Sequence, residues 1–143
     1  MDARSETIAS VLSQLSNDGA GADRIAAFVA ENMHAVHLAL APIIGDRGVS
    51  ALYRRSLLLA AREVAGAEGF HRTADASDDY ATLQSALAQQ SGADAATLGQ
   101  ALFRHLYIIL ASLIGEALTG RLLQPMFDTS SNGHAVQELP NEQ

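Results

Sequence analysis

Apolar residues return at helical spacing through most of the chain, and the pattern divides it into segments. Ile8, Val11, Leu12 and Leu15 mark a short amphipathic helix over Ser5–Leu15, which the polar, glycine-rich run from Asn17 to Gly21 ends. The clearest periodicity follows: Ala22, Ala26, Val29, Met33, Val36, Leu40 and Ile43 lie four and three apart, the seam of a helix paired along its length. Pro42 removes one backbone bond near the end of this helix, so it is expected to kink or stop by Gly45, with Gly45 in a left-handed, helix-ending conformation.

After a four-residue turn, Gly45 to Gly48, a third helix is expected from about Val49 to Val64, with Tyr53, Leu57, Ala60, Ala61 and Val64 on its core face. A Gly- and Asp-rich loop spans Gly66 to Ala76. A fourth helix is expected behind Ser77 or Asp78, which suit an N-cap, and it carries Tyr80, Leu83 and Leu87. Ser91-Gly92 ends it, Asp94 favours the start of the last helix, and Pro125 is expected to stop that helix near Gln124. Residues 128–143 read as a polar, acidic, disordered tail.

Leu40-Ala41-Pro42-Ile43-Ile44-Gly45-Asp46 and Leu110-Ala111-Ser112-Leu113-Ile114-Gly115-Glu116 match almost residue for residue at a separation of 70. Leu52 and Leu122 occupy equivalent places downstream. Two readings stand: a duplicated helix-turn-helix unit, or coincidence among Leu, Ala and Ile in a helical protein. Duplication carries a local expectation, that Gly115 breaks the last helix as Gly45 breaks the second.

Read face by face, the last helix places Phe103, Leu106, Tyr107, Leu110, Ile114, Ala117 and Leu118 on one side and His105, Ser112, Glu116 and Thr119 on a narrow polar side. Ile108 and Ile109 flank the polar side, leaving an apolar arc wider than packing against one set of neighbours uses. Ile108, Ile109, Ser112 and Gly115 are therefore the candidate interface of a homodimer.

Composition narrows the chemistry. The 143 residues include no Cys and no Lys, which excludes disulfides, thiolate nucleophiles and Cys-held metal, and also Schiff-base lysines and ordinary Walker lysines. A net charge of −7 without a basic stripe opposes general nucleic-acid binding. The start, Met1 to Glu6, lacks the apolar run of an export signal. Leu106–Gly115 is shorter than the ~20 residues of a bilayer span and reads as a buried core segment.

Glu31/His34 and Glu68/His71 each set a carboxylate three residues before a histidine, the spacing of di-iron bundles, with Glu63 and Glu116 as the available further carboxylates. Gly66 and Gly69 weaken any helix at the second pair, and Glu31/His34 reads as a surface pair. Phe103-Arg104-His105-Leu106 resembles the opening of the histidine-kinase phosphoacceptor box, but no acidic residue follows the histidine and no Pro stands where the box has one. His37 lacks the Lys-Gly that follows the histidine of phosphotransfer domains. Arg47, Arg54, Arg55 and Arg62 form the strongest positive cluster, fit to hold an anion or acidic partner unless Glu63, Glu116 or Asp46 pairs with them.

These observations lead to an all-α bundle of four to five principal helices in a single domain, residues 1–127. The function expected is non-enzymatic: a cytoplasmic, bacterial-style regulatory or protein–protein interaction module, homodimeric or bound to another protein, without cofactor, metal, nucleic acid or membrane. The alternatives are a small-molecule sensor with an apolar pocket near Tyr53, Phe103 and Tyr107, and a histidine-phosphotransfer or metal-dependent bundle.

Overall fold

The computed structural model describes residues 11–12, 14–15, 21–67, 69–73 and 80–131. Among them the protein is all-α, without a strand. In chain order the helices are α1 (Ala22–Arg62), α2 (Phe70–Thr73), α3 (Ala81–Ala88), α4 (Gly92–Ile114) and α5 (Glu116–Ser131). Residues 11–12 and 14–15 are helical, and Leu12 is fully buried. The remainder of the expected Ser5–Leu15 helix lies outside the described residues, as do Ser77, Asp78 and residues 132–143.

α1 is two arms joined at one glycine. Gly45 has φ 80° and ψ 159°, a region that only glycine occupies comfortably, and no atom would lie within 4 Å of an added Cβ. This corrects two expectations: the conformation is not the left-handed helical one, and the turn is a single residue, helix resuming at Asp46. Tyr80 measures how far the chain bends. Its ring centroid lies 5.8 Å from that of His37 and 5.0 Å from that of Tyr53. A straight helix would hold residues 37 and 53 roughly 24 Å apart, so the second arm turns back beside the first.

The same break recurs where the repeat puts it. Gly115, at φ 94° and ψ 152°, separates α4 from α5. Its N–H donates to the Ala111 carbonyl at 2.8 Å while its own carbonyl accepts from the Thr119 N–H at 3.1 Å, so the corner leaves these backbone groups satisfied. The expectation of one continuous last helix ending at Gln124 is thereby overturned. Pro125 does not stop the chain either: α5 runs through it to Ser131, with Pro125 as its tenth residue and one intrahelical N–H bond forgone there.

The corner also resets the helical face. Ala117, expected on the core side, is exposed, while Thr119, expected on the polar side, is fully buried with its hydroxyl on the Gly115 carbonyl at 2.8 Å. The N-terminal seam holds from Ala26 to Leu40, every member buried, and fails at its end, where Ile43 projects outward. Ser91 caps α4, its hydroxyl accepting from the Asp94 N–H at 3.0 Å, as the acidic first turn suggested. The Gly66–Ala76 loop contains the helical turn α2. The N-cap of α3 is Tyr80, in left-handed backbone geometry (φ 66°), held by its buried ring.

α1 packs most extensively on α4 and then on α3. The tightest approach is at Gly99, where a Cβ would come within 2.7 Å of Val29 Cγ2 and 3.2 Å of a Leu12 methyl. Only glycine lets the two long helices meet that closely.

Candidate functional site

Among the described residues the exposed large hydrophobics are four: Leu38 at 62%, Ile43 at 51%, Ile108 at 53% and Leu113 at 66%. They form two pairs offset by 70, like the two glycines. Each corner therefore bears one bulky apolar residue seven positions before its glycine and another two before it. Random leakage of core residues to the surface would not respect the repeat.

The expected interface residues lie at the second corner. Ile108, Ser112 and Gly115 are exposed and Ile109 is half-buried. Ser112 donates its hydroxyl to the Ile109 carbonyl at 2.7 Å, so covering it would strand no donor.

At the first corner a polar chain crosses the bend. His37 Nε2 meets Asp46 Oδ1 at 2.9 Å, and His37 Nδ1 meets the Tyr80 hydroxyl at 2.6 Å. The carboxylate only accepts, so Nε2 carries the proton; in the neutral ring Nδ1 then accepts and Tyr80 donates. Burial, and secondarily the Asp46 charge, push the Tyr80 phenol up to about 12. It is a hydrogen-bond donor across the whole neutral range, not a nucleophile.

Glu63, just beyond α1, receives both Arg104 and His105 of α4. The Arg104 hydrogen bond, supported by that of His105, holds its carboxyl below the usual 4.5 against a partial desolvation cost. The His105 nitrogen that a phosphoacceptor would offer is occupied by this carboxylate. Glu31, His34 and Glu116 are exposed, and among the described residues no three His, Cys, Asp or Glu side chains come close enough to hold a metal ion. His71 Nδ1 is buried with no hydrogen-bond partner among the described residues.

Tyr53, Phe103 and Tyr107, the residues expected to line a pocket, are packed into the core. A shallow cavity of about 260 Å³ lies elsewhere, where Gly66, Ala67, Gly69 and Phe70 face Ala86, Gln89 and Gln90.

Arg47, Arg54, Arg55 and Arg62 are all exposed on the second arm of α1. Two of the three acids expected to neutralise them are engaged elsewhere, Asp46 with His37 and Glu63 with Arg104 and His105, and Glu116 is exposed with no ion pair to them among the described residues. The sequence could not reveal either pairing, because the first depends on the bend and the second joins residues 41 and 42 positions apart.

The chain matches no protein-family model, no curated protein and no solved structure.

Proposed function

We propose that this chain is a non-enzymatic regulatory interaction module of the cytoplasm that pairs with a second copy through its glycine corners. The observation that carries the reading is the repetition of exposed apolar residues at both corners, positions 38 and 43 and again 108 and 113. Helix corners carry no obligation to expose Leu or Ile, and side chains over half exposed gain by being covered. Fully burying one such side chain contributes about 1.5–3 kcal/mol. With roughly half of each available on both chains, closure would contribute about 6–12 kcal/mol against association costs of about 4–15 kcal/mol. The pair is therefore expected to depend on concentration.

Light scattering over a dilution series tests this. The wild type should pass from dimer to monomer on dilution, and Leu113→Glu and Ile108→Glu should be monomeric with unchanged helical content. A wild type that is monomeric at every concentration, or variants that remain dimeric, would overturn the reading. α1 and α4 are also long and apolar enough to cross a membrane. Recovery of the protein from the salt-washed membrane pellet, rather than the soluble fraction, would refute the cytoplasmic placement.

A further inference from the structure

The second arm of α1 contains four Arg and no acidic residue between Arg47 and Arg62, within a chain of net charge −7. Its positive charge is thus concentrated while the rest of the molecule is strongly acidic. Arg47 and Arg54 are seven residues apart, as are Arg55 and Arg62, and seven residues make about two helical turns. Each pair consequently forms a rail along the helix. Between the rails run exposed Ala51 and half-buried Leu58, again seven apart. All four guanidinium groups lack an ion-pair partner among the described residues, since the neighbouring carboxylates are held by His37, Arg104 and His105.

We infer that this face docks an acidic amphipathic helix of another protein, with carboxylates on both flanks of an apolar seam. The inference rests on the reading of the chain as an interaction module but uses none of the exposed corner side chains. A helix presents residues seven apart on one face at about 10.5 Å, the rung spacing of the two rails. Guanidinium forks suit carboxylates bidentately, and the Ala51–Leu58 line supplies a shallow apolar contact between them. A second copy is a poor occupant, because symmetric pairing through this face would oppose Arg to Arg. A nucleic acid would meet the acidic remainder of the chain and make no use of the apolar line.

The probe is a fluorescein-labelled synthetic helix of about three heptads with Leu flanked by Glu. It is compared with its Lys-for-Glu counterpart, with single-stranded DNA of equal charge and with phosphatidylserine vesicles. Wild-type protein should bind the Glu peptide and not the Lys peptide, at least tenfold more weakly at high salt. Arg54→Glu with Arg55→Glu should reduce that binding at least tenfold with helical content unchanged; Arg54→Gln with Arg55→Gln serves if the first pair misfolds. No binding of the Glu peptide, binding indifferent to both double variants, or equal binding to DNA or vesicles would overturn the inference. Light scattering on the same samples separates the two claims: a persisting dimer that ignores the peptide removes the acidic partner and leaves self-association standing.

Discussion

The Gly45 and Gly115 corners share a backbone and differ in everything that supports it. Both glycines occupy nearly the same dihedral region, and both have open space where a side chain would begin. At Gly45 a histidine, an aspartate and a distant tyrosine tie the two sides of the bend together. At Gly115 the position equivalent to His37 is the buried Tyr107, and the position equivalent to Asp46 is the exposed Glu116. Thr119 there bonds back to the corner carbonyl, where the first half has Val49. The difference teaches that the bend belongs to the glycine, and that the side-chain brace is an addition available to one corner.

If that is right, the largest effects come from the glycines. Gly45→Val and Gly115→Val should each lower stability by about 1–3 kcal/mol, read by urea unfolding, because a branched residue is strained in this region while nothing crowds its Cβ. Ala should cost nearly as much as Val. A neutral result at one site and a large loss at the other would break the equivalence of the corners.

Gly99→Ala is next, at about 1–2 kcal/mol: the clash with Val29 outweighs the gain of about 1 kcal/mol in helix propensity. Adding Val29→Ala should recover part of that loss, and a double-mutant cycle with no coupling would mean that the helices simply separate.

The brace is expected to contribute less. His37→Ala should cost about 1 kcal/mol from the lost hydrogen bonds, whereas Glu116→Gln at the other corner should be close to silent. Titration of tyrosinate absorbance should show one group ionising near 12. Because that folded value lies above the ordinary 10, the Tyr80 contribution is complete below pH 10 and disappears as pH rises from 10 towards 12.

The smallest effect is at Glu63. Its carboxyl is lowered in the folded state, so its contribution is present above pH 4.5 and fades as pH falls below that value. Glu63→Gln should flatten only this acid limb in a stability-against-pH profile, and a slope left unchanged would show that the Arg104 and His105 contacts contribute nothing measurable.

How much of this was legible beforehand follows from the range of each cause. The faces of Ala26 to Leu40 and of Tyr53 to Val64 are set by neighbours three and four residues away, and local periodicity revealed them. Gly45 was visible because Pro42 and a charged run surround it. Gly115 was not visible from local chemistry, since the flanking residues favour helix; only the match to residues 40–46 pointed there. A continuous helix would carry the wheel through that corner in phase, whereas the break at Gly115 shifts it, which is why Thr119 is buried and Ala117 exposed. The His37 chain and the Glu63 cluster depend on contacts 41 to 43 residues apart as well as on the bend, and spacing along a chain carries no trace of those. The expected interface residues lie at the second corner, whereas of the matching pair at the first, Ile43 continues the seam pattern and Leu38 carries no local signal of a corner.

Val29 and Gly99 are themselves counterparts, 70 positions apart, and they touch. Two separate, identical half-chains meeting about a two-fold axis would set the same residue against itself at that spot, either two valines that collide or two glycines that leave a gap. Joined in one polypeptide, the halves can differ, so one supplies a knob and the other its socket. At this crossing a single covalent chain fills the contact with one knob in one socket, a fit that a symmetric pair of its parts could not make.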